Sequence, residues 1–166
     1  MAIHEFDAEL DLMIEGKFDA PPELVWKAWT RPEHLRKWFV PKPWHIPECE
    51  IDVRPGGRLQ VEMRSPEGEE SRVNGCYLEV IENERLVWTD ALQAGFRPAA
   101  TPFITAVITF EAEGEGTKQT SHVMHKDPAT REEHEDKGFY DGWGTCVNQL
   151  AELLDGMTRP AGRCGS

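Results

Sequence analysis

Apolar residues in the first part of the chain repeat at every second position. Leu10, Leu12, Ile14 and Phe18 share one face between residues 9 and 18. This period of two predicts a strand with one buried face. A proline pair at 21–22 ends the strand, and the apolar spacing that follows predicts a short amphipathic helix. A second short helix is predicted over residues 33–38.

The middle of the chain predicts six more strands. Cys49, Ile51 and Val53 alternate with acidic residues, and the stretch 54–58, Arg-Pro-Gly-Gly-Arg, has the composition of a tight hairpin turn. A loop is predicted over residues 93–102. The six predicted strands span residues 48–53, 59–63, 72–81, 85–92, 103–111 and 117–125.

After Pro128 the apolar spacing changes to that of a helix. Phe139, Trp143, Val147 and Leu150 fall on one helical face, with acidic residues on the other. The pattern predicts one long helix over residues 129–156. Residues 159–166 lack such a pattern and are expected to be disordered, so residues 1–158 are expected to form a single domain.

This order of elements predicts an α+β fold. A seven-stranded antiparallel sheet wraps around a long C-terminal helix, with two short helices after the first strand. The apolar face of the sheet must be covered, and only the terminal helix is long enough to cover it. A twisted sheet that curls around a helix is difficult to fill at both ends. We therefore expect a cavity between the two.

Length and charge limit the possible partners. The chain has 166 residues, which suits one domain with a full hydrophobic core. Its net charge of −12 disfavours binding to nucleic acid or to an anionic membrane, although solubility alone also accounts for such a charge. No apolar run is long enough to span a membrane, and residues 1–11 do not resemble a signal peptide. We therefore expect a cytoplasmic protein.

Neither the cysteines nor the histidines are spaced like metal ligands. The four cysteines form no CxxC pair and are expected to be free thiols. His122 and His125 are three residues apart, which places them on opposite faces of a strand. Gly138 stands four residues after His134, so no helical histidine pair forms. We expect no metal site.

Several short motifs along nearly the whole chain resemble those of one protein family. They are Phe18-Asp19-Ala20-Pro21, Val25-Trp26-Lys27-Ala28-Trp29-Thr30, Pro32-Glu33-His34-Leu35, Trp38-Phe39, Asp52-Val53-Arg54-Pro55-Gly56-Gly57-Arg58, Gly75-Cys76-Tyr77-Leu78-Glu79-Val80, Glu84-Arg85-Leu86-Val87 and Gly138-Phe139-Tyr140-Asp141-Gly142-Trp143. Together they resemble the activator-of-heat-shock-protein-90-ATPase-like family. This family belongs to the SRPBCC superfamily of helix-grip proteins, which includes START domains, the birch-pollen allergen and polyketide cyclases.

The resemblance implies a helix-grip fold with a pocket for a hydrophobic ligand. It implies no shared cofactor and no shared catalytic residues. One alternative is a cyclase- or lyase-like enzyme, without a cofactor, that acts on an aromatic or polyketide-type substrate in the same pocket. Another is a chaperone-ATPase accessory protein with a role in the stress response.

Two further expectations concern protein partners. The eukaryotic co-chaperone of the family carries an extra N-terminal domain. This chain begins at the first strand, so direct stimulation of the chaperone is not expected. Sheet edges and surface aromatic residues would suit a homodimer.

Aromatic residues and the last predicted strand supply candidates for the pocket wall. Six tryptophans and seven phenylalanines could line a cavity for an aromatic guest, although most would be buried in any core. If Val123 points inward, Gln119, Ser121 and His125 do too. Unless that strand is partly exposed, their polar groups must bond to a ligand or to one another. The candidate ligand-binding residues are Trp38, Trp44, Met63, Tyr77, Trp88, Phe103, Gln119, Ser121, His125, Phe139 and Trp143.

Three glycines stand where the long helix is predicted, at Gly138, Gly142 and Gly144. Each costs about 1 kcal/mol in a helix interior. They leave room for a ligand, let the helix hinge at the mouth of the pocket, or allow the helix to pack closely on the sheet.

The interior distinguishes the three possible functions. A pocket lined by apolar groups favours ligand binding, which the sequence favours overall. A histidine–carboxylate pair in the pocket favours an enzyme, and His125 with Asp127, Glu79 or Asp141 could supply one. A sealed interior with an exposed apolar patch favours an interaction protein.

Overall fold

The computed structural model describes residues 5–158, which form two antiparallel sheets and four helices. The strands are β1 (Asp11–Phe18), β2 (His45–Ile51), β3 (Arg58–Arg64), β4 (Glu70–Ile81), β5 (Arg85–Thr89), β6 (Leu92–Gln93), β7 (Arg97–Pro98), β8 (Thr105–Glu113) and β9 (Gly116–Met124). The helices are α1 (Pro22–Thr30), α2 (Pro32–Leu35), α3 (Pro128–Asp136) and α4 (Phe139–Thr158).

The large sheet has seven strands in the order β1-β9-β8-β5-β4-β3-β2. β1 pairs with β9, so the first and last strands are neighbours, and Leu12 lies opposite Val123. The two short helices follow β1, and the C-terminal helices follow β9. The predicted fold, with its seven-stranded antiparallel sheet and C-terminal helical cover, is confirmed.

The predicted single C-terminal helix is wrong in one respect, because the structure contains two helices there. α3 begins at Pro128, where the Asp127 carboxylate accepts a hydrogen bond of 2.8 Å from the Thr130 amide. It ends before Gly138, whose φ of +97° is the left-handed conformation that glycine adopts most readily. α4 begins immediately afterwards. Gly138 therefore breaks the helix.

Smaller differences affect the second helix and the predicted loop. α2 is only four residues long, ending at Leu35, and the chain then continues in turns. β5 ends at Thr89, and the region after it forms the β6–β7 hairpin. The Asp90 carboxylate accepts hydrogen bonds from the Phe103 and Ile104 amides. These bonds join the two ends of the segment that contains the hairpin. The predicted disordered tail at 159–166 lies outside the described residues.

The hydrophobic core lies between the inner face of the sheet and the helices. Leu12, Ile108 and Val123 are fully buried on the strands, and Val25 and Leu150 are fully buried on α1 and α4. Among the described residues, no helix is long and apolar enough to cross a membrane.

Candidate ligand-binding site

A cavity of about 400 Å³ lies between the sheet and the α3–α4 segment. Small-molecule sites span about 300–1,000 Å³, so this volume suits an organic molecule. Most of its surface is apolar, and β3, β4, β5, β9, α1, α3, α4 and the segment after α2 all contribute. The lining residues are Trp29, Trp38, Phe39, Val40, Pro41, Met63, Ser71, Arg72, Val73, Trp88, Asp90, Phe103, Ile104, Gln119, Ser121, His134, Gly142, Trp143, Cys146 and Val147.

Gly142 explains part of the open space. It lines the cavity, and a Cβ atom added to it would have no neighbouring atom within 4 Å. Close packing on the sheet therefore does not require a glycine at this position. A Cβ at Gly144 would meet only the Ile14 side chain, at an ordinary contact distance of 3.8 Å. Of the interpretations of these glycines, the geometry at Gly142 fits the one that leaves room for a ligand.

Interlocking aromatic rings form one wall. The ring centroids of Trp29 and Trp38 lie 4.6 Å apart in an edge-to-face arrangement, and Phe39 lies 6.0 Å from Trp29. Phe39 also contacts Trp88, with 6.2 Å between centroids. Such pairs restrict ring rotation, so this wall is preorganised.

A single side chain attaches this wall to α4 from the outside. The Gln149 Nε2 atom donates hydrogen bonds to the carbonyl oxygens of Trp38 at 3.0 Å and Val40 at 2.8 Å. Its Oε1 atom accepts one from the Lys42 amide at 2.9 Å. The segment after α2 is therefore held against the C-terminal helix.

The inner face of β9 carries polar residues, as the alternation predicts. Thr117, Gln119 and Ser121 are each 1% exposed. The Thr117 hydroxyl donates to the Ala20 carbonyl at 2.7 Å, and the Trp29 indole N–H donates to Gln119 Oε1 at 2.8 Å. Ser121 lines the cavity, and within the described residues its hydroxyl forms no hydrogen bond. Ser121 is therefore a polar group free to meet a ligand.

Trp88 supplies a second free polar group. Its side chain is 3% exposed and contributes to the cavity wall, and its indole N–H is buried without a hydrogen-bond partner in the part of the chain described. Leaving such a donor unpaired costs about 1–3 kcal/mol. A ligand atom that accepts this hydrogen bond would remove the cost.

Two histidines meet at the edge of the cavity. His125 Nε2 lies 2.9 Å from His134 Nδ1, and His125 Nδ1 lies 2.8 Å from the Leu10 carbonyl oxygen. Burial, together with His125 and Lys137, lowers the pKa of His134 to about 4, against the opposing effect of Glu133. His134 is therefore neutral near pH 7.

Seven of the eleven predicted site residues line the cavity: Trp38, Met63, Trp88, Phe103, Gln119, Ser121 and Trp143. The other four lie elsewhere. Trp44 lies in an outer groove beside Gln149 and Leu153, because the segment that carries it runs along the outside of α4. Tyr77 is buried in the core, where burial raises the pKa of its phenol.

His125 and Phe139 form a layer behind the wall. His125 lies behind His134, to which it is hydrogen-bonded. Phe139 packs under the same ring with 5.1 Å between centroids, and 5.2 Å from Trp143. Both residues support the side chains that reach the cavity.

The candidate set missed several lining residues. Trp29 and Phe39 were recognisable as aromatic residues beside predicted helices, and the period-two pattern could have placed Val73 on the inner face. His134 had no such signal. Its contact with His125 depends on the helix break at Gly138, which brings α3 against the end of β9.

Of the three carboxylates proposed as partners of His125, Asp127 and Glu79 are engaged elsewhere, and Asp141 is exposed and lies outside the cavity lining. The Asp127 carboxylate caps α3, and the Glu79 carboxylate pairs with Arg85 at 2.6 Å. A buried hydrogen bond of 2.8 Å joins His122 to Asp11, but neither residue lines the cavity. The described residues thus place no hydrogen-bonded histidine–carboxylate pair in the wall.

Residues 5–158 contain neither a cluster of metal ligands nor a disulfide bond. No group of three or more potential metal ligands comes together there. Cys49, Cys76 and Cys146 are free thiols. Cys146 lines the cavity, and burial raises the pKa of its thiol to about 12, so it remains protonated and unreactive at neutral pH.

The sheet, its helical cover and the cavity between them define a helix-grip protein with an SRPBCC-type domain. The family can be stated more closely. The chain belongs to the family described as activator of Hsp90 ATPase homolog 1-like proteins, whose model matches residues 19–155. A comparison with curated proteins finds no match for this chain.

Solved structures support this assignment. Protein NE0264 from Nitrosomonas europaea is 47% identical, with a TM-score of 0.89, and the match covers 92% of this chain and 98% of that one. Protein Ms6760 from Mycobacterium smegmatis is 27% identical, with a TM-score of 0.76 over 91% of this chain and 93% of that one. A Rhodobacter sphaeroides protein at 19% identity shares the fold, with a TM-score of 0.78 over 90% of this chain and 94% of that one.

Proposed function

We propose that this protein binds a small, mainly apolar organic molecule in the cavity between the sheet and the α3–α4 segment. The observation that supports this most directly is the cavity of about 400 Å³ beside Gly142, enclosed largely by aromatic and aliphatic side chains. Burial of apolar surface would stabilise a ligand by about 25 cal/mol per Å².

A few polar groups would orient the ligand. Ser121 and the Trp88 indole N–H have no hydrogen-bond partner within the described residues, and both belong to the wall. Ligand pockets commonly combine an apolar surface with a small number of such groups. A planar aromatic molecule with one or two oxygen atoms fits this arrangement.

The alternatives have less support from the geometry. An enzyme of the cyclase or lyase type would be favoured by a histidine–carboxylate pair in the pocket, and the hydrogen-bonded pair observed, His122 with Asp11, lies outside the wall. An interaction protein would be favoured by a sealed interior. The exposed large hydrophobic residues described are Phe6, Phe96 and Tyr140, which lie in three different segments of the chain. Binding is therefore the function that the geometry supports best.

The test uses 1-methoxynaphthalene, an aromatic probe without a hydrogen-bond donor. Titration into the full-length protein, followed by two-dimensional NMR, should shift the Trp88 indole N–H signal saturably. In Gly142→Leu, the new side chain occupies the cavity, so affinity should fall at least about tenfold, a change of about 1.4 kcal/mol.

Gly156→Leu is the matched control, because a Cβ there also meets nothing within 4 Å but the residue is exposed to solvent. Both variants replace a glycine of α4, so both gain similar helix propensity. Equal probe affinity in the two variants would refute the assignment of the site. Native mass spectrometry of protein purified from its own host should also detect a retained small molecule.

The cytoplasmic location and the homodimer stay predictions from the sequence. The expected absence of nucleic-acid, membrane and cofactor binding also rests on the sequence alone. Size-exclusion chromatography with light scattering would test the oligomeric state directly.

A further inference from the structure

The hydrogen bonds of the two cavity histidines determine where their protons lie. His125 Nδ1 is 2.8 Å from the Leu10 carbonyl oxygen, and His125 Nε2 is 2.9 Å from His134 Nδ1. A carbonyl oxygen can only accept, so His125 Nδ1 must donate. In a neutral imidazole one nitrogen donates and the other accepts, so His125 Nε2 accepts a proton from His134 Nδ1.

This arrangement leaves His134 Nε2 with a free lone pair. His125 is 7% exposed, and its hydrogen-bond partners within the described residues are a carbonyl group and the other imidazole, so no carboxylate accompanies the ring. A buried cation without a carboxylate partner would be costly. The charged or titratable groups that act on His134 are His125, Lys137 and Glu133.

The surroundings hold the His134 ring in the cavity wall. Its centroid lies 4.8 Å from that of Phe103, 5.1 Å from Phe139 and 6.4 Å from Trp143. Nδ1 is directed to His125, which lies behind the wall, and Nε2, bonded to the other side of Cε1, points away from His125. Among the described residues, Nε2 has no hydrogen-bond partner.

We propose that His134 Nε2 is a hydrogen-bond acceptor of the cavity and selects aromatic ligands that carry a hydroxyl group. This inference rests on the proposed function and adds the ligand class. The Trp88 indole only donates, so it cannot recognise a hydroxyl hydrogen, whereas the unpaired Ser121 hydroxyl can also accept one; the His134→Phe variant below separates its contribution from that of His134. His134 would thus distinguish a phenol from the corresponding methyl ether.

The binding test compares 1-naphthol with 1-methoxynaphthalene, which replaces the O–H hydrogen with a methyl group. The wild-type protein should bind 1-naphthol about 3- to 10-fold more tightly, the effect of one net hydrogen bond. His134→Phe keeps a ring of similar shape without the acceptor and should lose this preference. His45→Phe, the same change at an exposed residue outside the cavity lining, should keep it.

The possible results separate the two proposals. If neither probe binds the wild-type protein, the proposed function fails and the inference fails with it. If both probes bind equally well, or if His134→Phe keeps the preference, only the inference is overturned.

A second measurement needs neither a ligand nor a variant. Long-range ¹H–¹⁵N correlation spectra of the wild-type protein near pH 7 distinguish protonated from unprotonated imidazole nitrogens. We expect the proton of His134 on Nδ1 and an unprotonated Nε2. A proton on Nε2, or a cationic ring at either His125 or His134, would overturn the inference even if His134→Phe does not fold.

Discussion

The two halves of α4 differ in how tightly they pack on the sheet. The N-terminal half borders the cavity, whereas the C-terminal half is packed into the core. Gly142, Cys146, Leu150 and Leu154 follow one another at four-residue intervals and therefore lie along one stripe of the helix. The first two line the cavity, whereas Leu150 and Leu154 are almost completely buried in the core. Side-chain volume along a single stripe thus determines where the interior is solid and where it is open.

The partners across the interior show the same contrast. In the core, Trp26 and Phe110 pack edge to face with 5.7 Å between centroids, and neither residue lines the cavity. Opposite the open half, Ser121 and Trp88 present polar atoms without protein partners within residues 5–158. One half therefore contributes packing stability, whereas the other borders open space.

The largest expected effect is the loss of packing in the solid half. Leu150→Ala removes a fully buried side chain and should lower the free energy of unfolding by about 2–5 kcal/mol. Cys146→Ala removes a side chain that already borders the cavity, so it should cost less than about 1 kcal/mol. Urea denaturation of both variants measures this. Equal losses would mean that the two halves are packed alike.

Gln119 lines the cavity, and its substitution should have the next largest effect. Gln119→Leu leaves the buried Trp29 indole N–H without its acceptor, which should cost about 1–3 kcal/mol of stability. In the double variant Trp29→Phe/Gln119→Leu the orphaned donor is gone, so the loss should be smaller than the sum of the single losses. Strictly additive losses in denaturation experiments would contradict this coupling.

Removing either of two hydroxyl groups on the inner face of β9 should change stability by a smaller amount, and by a different amount at each position. Thr117→Val removes a buried hydrogen bond to the Ala20 carbonyl and should cost about 1 kcal/mol. Ser121→Ala removes a hydroxyl without a partner in the described residues, so stability should change by less than about 0.5 kcal/mol. Thermal denaturation distinguishes the two. A larger loss at Ser121 would show that its hydroxyl has a structural role.

A contrast of a different kind concerns the pH dependence of stability. Burial, with His125 and Lys137, lowers the pKa of His134 to about 4 from an ordinary value of 6.5, against the opposing effect of Glu133. Between these values the unfolded chain binds a proton that the folded protein does not, so stability increases with pH in this window. Relative to His134→Phe, the wild-type protein should lose stability as pH falls from 6.5 to 4. An unchanged difference across that range would contradict the lowered pKa.

The sheet and much of the wall could be predicted because strand alternation is a local signal. Val123 anchors the inner face of β9, and Gln119 and Ser121 follow from it by the period of two. Trp88 and Phe103 were recognisable as bulky residues on or beside strands. Each of these positions depends on neighbours close in sequence.

The features that could not be predicted depend on tertiary contacts. Gly138 in a helical pattern is compatible with either a continuous helix or a break, and the sequence does not distinguish the two. Trp44 is apolar, which indicates burial but not the surface against which it is buried. The His125–His134 contact requires both the break and the position of α3, so spacing along the chain could not reveal it.

The pairing of β1 with β9 has a consequence for biosynthesis. Asp11 lies opposite Met124, so the N-terminal strand has no partner in the sheet until more than a hundred further residues have left the ribosome. α4, which provides one side of the cavity, is translated later still. Contacts between such distant parts of a chain slow folding, because a large loop must close first. The nascent chain therefore exposes an unpaired strand until β9 has been made, and the cavity can be completed only after α4 has been translated.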